Sequence, residues 1–178
     1  MRAGTRAAPE PAVTLAPLAD GDREALLRMA SDPRIGATYM LPDLGSPERA
    51  EAFFRRMQAL SLSETRYLRG IRLEGALIGM IHERGTGAPA VELGYFIDPA
   101  HWGQGCATAA LRIAIREMFR RGFDEVRAGF FEDNPASRRV MEKCGMRLLP
   151  GEEFIPDRGR LRRCLTCAIR REDAPGPA

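Results

Sequence analysis

Gly103 and Gly105 stand where a strand-like run, Val91 to Asp98, gives way to a helical run of about Gly105 to Arg121. A strand, a glycine turn and a helix start, in that order, suit the binding of anionic oxygens. The first amides of a helix have no carbonyl partner within it, and the helix dipole adds positive character at the same end. Glycine lets the backbone come close to a phosphate because it has no Cβ. The segment from Asp98 to Ala107, with His101, Trp102, Gly103, Gln104, Gly105 and Cys106 inside it, is therefore read as a turn for a diphosphate. A plain tight turn is the bland alternative, and a lone Gly-x-Gly would favour it.

Two familiar phosphate loops do not fit. A dinucleotide fingerprint needs a third glycine where this chain has Thr108. It also needs an acid ending the next strand, whereas Asp124 and Glu125 begin one. A Walker loop needs Gly-Lys-Ser/Thr, which does not follow.

A second group of chemistry-bearing residues runs from Asn134 to Gly145. Asn134 reads as a helix cap, Pro135 as the first helical residue and Gly145 as the stop. Ser137 lies three residues past the cap. It could act on a substrate or merely satisfy local backbone groups. On the strand before the glycine turn, Val91, Leu93, Tyr95 and Ile97 share one face, and Glu92, Gly94 and Phe96 the other. Glu92 is thus either a carboxylate base aimed into a cleft or a solvent-facing glutamate. His82 and His101 have the right pKa range for proton transfer, but His82 has no visible partner and His101 reads as an anion-side or surface residue. Cys164 and Cys167 lie on an alternating run, Leu161 to Ile169, where residues three apart point to opposite faces. With no second close pair to complete four ligands, they read as buried thiols and no metal is expected.

The surrounding elements alternate in period. Val13 to Pro17 is strand-like. Asp20 or Asp22 can cap a helix that Asp32-Pro33 stops, and Ser46-Pro47-Glu48 opens another that runs to about Leu60 with Phe53, Phe54 and Met57 inward. Tyr67 to Leu73 and Ala76 to Glu83 form a hairpin through Glu74-Gly75, followed by a loop at Gly85 to Pro89. Ala107, Leu111, Ala114, Ile115 and Met118 recur at helical spacing. Glu125 to Phe131, Met146 to Leu149 and Leu161 to Ile169 are further strands, with Pro150 to Arg160 left as loop. The order is mixed α/β. Residues 1–12 and 171–178 read as flexible tails around one domain, 13–170.

The run Trp102-Gly-Gln-Gly105-Cys-Ala107 resembles motif A of the GNAT acetyltransferases, Gln/Arg-x-x-Gly-x-Gly/Ala, with Trp102 in place of the first Gln or Arg. The run Asn134 to Met146 resembles the Asn-x-x-Ser…Glu-Lys-x-Gly-Phe motif of the ribosomal-protein-alanine acetyltransferase-like branch, with Met146 replacing the aromatic. The resemblance implies an α/β GNAT fold: a mostly antiparallel sheet of about seven strands, flanked by about four helices and splayed at a cofactor cleft. It implies acetyl-CoA as acyl donor, with the diphosphate on the amides of Gly103 to Ala107, and pantetheine beside Phe96 and Ile97. One of those two backbone amides would polarise the thioester carbonyl. Direct transfer to an amine follows, so Cys106 carries no acyl group. Glu92 becomes the base and Ser137 the acid, since the tyrosine that many members use falls at Met141. Asn134 gains a cofactor contact and Arg138 or Arg139 could reach the 3′-phosphate. The loops around Tyr39 to Pro42 and Pro150 to Arg160 would surround the acceptor amine, either a protein N-terminus or a small molecule. A module that holds acyl-CoA without efficient turnover is the alternative.

Composition adds exclusions. The 178 residues are 44% hydrophobic and 29% charged, which suits a globular chain. Lys and Arg total 27 against 24 Asp and Glu, a net of +3, too small to call for a nucleic-acid partner. The arginine pairs at 55/56, 120/121, 138/139, 162/163 and 170/171 read mostly as solvated faces. The most apolar stretch, Ala76 to Ile81, is six residues broken only by Gly79, far short of a membrane span. The first residues have no apolar core of a secretion signal, so a cytoplasmic location is expected. A homodimer is compatible with all of this.

Overall fold

The alternation from Val91 to Ile97 organises the fold, because each set of side chains enters a different core. In the computed structural model, which describes residues 10–174, strand β4 (Ala90–Ile97) buries Val91, Leu93 and Ile97 in one apolar cluster and Phe96 in another. The first cluster lies under helices α4 (Cys106–Arg120) and α5 (Pro135–Lys143), which contribute Leu111, Ala114, Met118 and Met141. The second lies under α1 (Arg23–Ala30), α2 (Pro33–Thr38) and α3 (Pro47–Ser61), through Leu26, Met29, Ile35 and Phe54. Each large apolar side chain so buried contributes about 1.5–3 kcal/mol. The sheet is thus covered on both faces.

The other strands are β1 (Val13–Ala16), β2 (Leu68–Leu73), β3 (Ala76–Gly87), β5 (Glu125–Phe131), β6 (Arg147–Leu148), β7 (Glu153–Asp157) and β8 (Arg160–Arg170). They form one eight-stranded sheet in the order β1-β2-β3-β4-β5-β8-β6, with β7 also on β8. Among the described strands only β4 and β5 pair in parallel, and they do so only over Ala90–Leu93 and Glu125–Ala128. Beyond that, β4 keeps its ladder to β3 as far as Ile97 and β5 keeps its ladder to β8 as far as Phe131. No ladder joins Gly94–Ile97 to Gly129–Phe131, so the sheet splays there.

Three differences from the sequence reading bear on the site. The sheet has eight strands and the described residues five α-helices. The additional elements are α2, too short to show a period, and β7, hidden within the supposed loop from Pro150 to Arg160 by an internal proline. Strand β3 also continues through the expected loop to Gly87 by way of a bulge between Glu83 and Gly85, where Arg84 is the extra residue. A bulge re-aims its side chain, and here Arg84 turns toward Glu92. Arg162, expected on a solvated face, is buried. The expected tails fall largely outside the described residues, but Glu10 pairs with Arg112 at 2.6 Å and Arg171–Asp173 forms a 3₁₀ turn.

Helix α2 begins with an unusually tight cap. The Asp32 carboxylate accepts from the Arg34 amide at 2.8 Å and from its guanidinium at 3.0 and 2.6 Å. The Arg34 bonds hold its carboxyl down at about 2, against an ordinary 3.8. A depressed carboxylate stabilises above its unfolded-state value and loses that contribution as pH falls through the folded one. The start of α2 is therefore expected to loosen between pH 3.8 and about 2. Asp32→Asn should keep a cap but abolish this pH dependence, read from an NMR titration of the Arg34 amide.

Candidate active site

The glycine turn has a backbone geometry suited to an anion. Gly103 has φ +75° and Gly105 φ +86°, left-handed values that favour glycine, and Gly105 caps α4. The first backbone donor of that helix to find a partner is Ala109, bonded to Gly105 at 3.0 Å. Among the described residues, the amides of Gly103, Gln104, Gly105, Cys106, Ala107 and Thr108 have no acceptor. They gather at the positive end of a 15-residue helix. Buried Nδ1 of His101 is also without a partner among the described residues. The six free amides suit a diphosphate.

Asp98 shapes the approach. Its carboxylate accepts from the Ala100 amide at 3.0 Å and meets Arg28 at 2.6 Å, tying the turn to α1. The Trp102 indole donates to the Ile97 carbonyl at 2.7 Å, while 46% of the residue remains exposed. The Gln104 side chain folds back to the Ala100 carbonyl at 3.0 Å, while its backbone amide has no acceptor among the described residues. Burial pushes the Cys106 thiol up, which disfavours a thiolate.

From this turn a cleft of about 360 Å³ runs along α5 to the splay between β4 and β5. Its walls include Phe96, Ile97, Trp102, Cys106, Asn134 and Ser137, with Arg139 and Lys143 at the rim. Asn134 caps α5 by accepting from the Ser137 amide at 3.2 Å. Arg138 pairs with Glu142 at 2.8 Å, whereas Arg139 has no ion-pair partner among the described residues. Asp98 donates its amide to the Ile78 carbonyl across the β3 ladder at 2.7 Å. Antiparallel backbone groups alternate, so the amide of Phe96 also faces β3, and that of Ile97 faces the splay.

On the opposite face, a smaller hollow of about 30 Å³ is lined by Thr38, Tyr39, Arg84, Gly94, Gly129 and Cys164, among others. The Glu92 carboxylate lies beside Gly129, 3.5 Å from where a Cβ there would sit, and 3.9 Å from the Arg84 guanidinium. Its side chain keeps 40% of its exposure. Thr38 and Tyr95 line both spaces, so cleft and hollow meet at the splay. Glu92 and Ser137 consequently approach that point from opposite faces of the sheet.

Sequence reasoning missed two partnerships. His82 has one after all: its Nδ1 faces the Glu83 carbonyl at 2.8 Å and must carry the hydrogen, so its Nε2 accepts from the Tyr39 hydroxyl. Burial pushes the His82 pKa down, keeping the ring neutral. The Tyr95 hydroxyl stands 3.0 Å from Ser137 Oγ. Each pair joins residues more than forty positions apart, a separation no local pattern signals. Cys164 and Cys167 fall on opposite faces, one at the small hollow and one in the α4 core. Among the described residues no three His, Cys, Asp or Glu side chains gather as metal ligands.

Known proteins share this architecture. The RimJ protein of Mycobacterium smegmatis, solved in complex with CoA-disulfide, superposes with a TM-score of 0.78 at 23% identity over 92% of this chain and 84% of its own. The spermidine N-acetyltransferase of Vibrio cholerae, solved with CoA and spermine, gives 0.76 at 17% identity over 90% and 96%. In sequence, the uncharacterised N-acetyltransferase YoaA of Bacillus subtilis is 31% identical over 134 residues, which is 72% of this chain and 75% of that protein. The model of the acetyltransferase (GNAT) domain matches residues 12–147. With its splayed sheet and unpaired helix-start amides, the chain belongs to the GNAT family of acetyl-CoA-dependent acetyltransferases.

Proposed function

We propose that this protein transfers an acetyl group from acetyl-CoA directly to a primary amine, either a protein N-terminus or a small-molecule amine, in the cytoplasm. The observation that carries the reading is the meeting of two spaces at one splay. One leads from a diphosphate cradle, and the other reaches the opposite face of the sheet beside a carboxylate.

Acetyl-CoA would lie with its diphosphate on the amides of residues 103–108 and its thioester at the splay. Arg139 is suited to the 3′-phosphate and Asn134 to the pantetheine amides. The Ile97 amide would polarise the thioester carbonyl. The amine nitrogen attacks that carbon, the C–N bond forms, the C–S bond breaks and the sulfur leaves as thiolate. An amine of pKa about 8 to 10 is mostly protonated near neutrality, so a base must take a proton. Glu92, acting through water, is suited to that step from the acceptor side. Ser137, which lines the cleft on the other face, would meet the sulfur from that side.

The acceptor would enter past Thr38 to Met40 and β7. Spermine is bound in the structure of the Vibrio cholerae spermidine N-acetyltransferase and kanamycin in that of the aminoglycoside acetyltransferase AAC(6')-Ib, which makes polyamines and aminoglycosides sensible members of a test panel. With such a panel plus N-terminal peptides, thiol release from acetyl-CoA should rise for at least one amine. Glu92→Gln should lower that turnover about 10²-fold while leaving the CoA dissociation constant within twofold. Release that stays flat with every amine, alongside tight CoA binding, would favour a binding module.

A further inference from the structure

Ser137 needs a particular orientation to serve a leaving sulfur, and the structure shows what can supply it. The Tyr95 hydroxyl lies 3.0 Å from Ser137 Oγ and 3.4 Å from the Ser137 carbonyl. That carbonyl sits inside α5, where the Met141 amide one turn on takes it as acceptor. The Oγ is therefore the better acceptor for the phenol. Once it accepts from Tyr95, its own hydrogen is unspent, because Ser137 Oγ has no other partner among the described residues. A serine in a helix commonly gives that hydrogen to a carbonyl a turn earlier; here it stays free to point into the cleft.

We infer that Tyr95 is a positioning residue: its hydroxyl fixes Ser137 so that the serine O–H donates to the leaving sulfur at the splay. The inference rests on the acyl-transfer reading above. Tyr95 is one residue from the thioester-polarising stretch of β4, and it lines both the cleft and the hollow. Its ring comes from the wall opposite α5, while Met141, one turn past Ser137 on that helix, is buried and has no proton to give. Direct acid catalysis by the phenol is the poorer role. A phenol titrates near 10 and a thiol near 8.5, and burial pushes Tyr95 further up. The thiolate cannot draw that proton downhill. A hydrogen bond from Ser137 stabilises the thiolate as it forms, and the sulfur takes its proton from solvent afterwards.

The test uses the full chain with CoA itself as probe, titrating the bound thiol by the ultraviolet absorbance of its thiolate. A donated hydrogen bond favours the charged form. Tyr95→Phe, which keeps the buried ring, should therefore raise the midpoint of bound CoA by about one pH unit. It should also lower kcat about tenfold, with KM for acetyl-CoA within twofold. Ser137→Ala should match it, and the double variant should be no worse than Ser137→Ala alone. An unmoved midpoint in Tyr95→Phe, or losses that multiply in the double variant, would overturn the inference. If the midpoint moves as stated but no amine is ever acetylated, the transfer reading fails and the Tyr95–Ser137 pairing stands. Failure of the wild type to bind CoA defeats both.

Discussion

Gly105→Val is expected to weaken CoA binding about 10³-fold without unfolding the protein. The residue sits at φ +86°, and a Cβ there would lie 3.2 Å from Pro11 Cδ. A β-branched side chain in the left-handed region costs roughly 1–2 kcal/mol. The chain relieves that strain by rotating the turn, which swings the amides of residues 103–108 off their common target. Hydrogen bonds to charged groups are each worth about 1.5–3 kcal/mol, so losing two removes about 4 kcal/mol, or about 10³ in dissociation constant. Calorimetry with CoA and with pantetheine separates this from general damage, because pantetheine has no diphosphate. Pantetheine affinity should hold within about twofold. Equal losses for both ligands would show that the turn does not act through phosphate. Gly103→Ala, where a Cβ meets nothing within 4 Å of protein, should give a smaller loss of the same selectivity.

The parts of this site that sequence made visible are those built from neighbours along the chain. The cap at Asn134, the stop at Gly145 and the start of α4 after Gly105 each follow from residue types within one turn. The two faces of β4 follow from strict alternation. Where a contact spans the sheet, local pattern is silent. Nothing near His82 announces Tyr39, and nothing near Tyr95 announces Ser137, because topology alone brings them together. Short elements hide for a different reason. The six residues of α2 hold a glycine and a proline and never complete two turns, so their helicity depends on the Asp32 cap and on Ile35 in the core. Strand β7 carries Pro156, yet it pairs with the edge of β8 and so tolerates the missing donor. Charge patterning misled most at Arg162, because a sequence cannot distinguish an arginine in solvent from one enclosed by acceptors.

Arg162→Ala is accordingly expected to cost about 3–5 kcal/mol of stability, the scale for breaking a buried ion pair on one side. The side chain is 5% exposed. Its guanidinium donates to the Ala37 carbonyl at 2.9 Å, to Asp157 at 3.0 Å and to Asp133 at 2.5 Å, and lies 3.6 Å over the Phe131 ring. Removing it strands the Asp157 carboxylate, itself only 10% exposed, and frees a carbonyl near the end of α2. Asp133 is largely solvated and loses little. Arg162→Lys restores charge but not the planar fork that meets three acceptors, so it should recover only part of the loss. Removing Asp157 as well takes away the stranded charge, so Arg162→Ala/Asp157→Ala should be less damaging than the two single effects added. Urea unfolding measures all of these. The same contact gives the variant a functional signature, because Ala37 leads into Thr38 and Tyr39 at the small hollow. In protein that remains folded, the KM for the amine should rise several-fold while the CoA dissociation constant, which we propose the turn at residues 103–108 sets on the other face, stays within about twofold. Equal weakening of both ligands would mean that Arg162 supports the sheet as a whole and not the acceptor side of the splay.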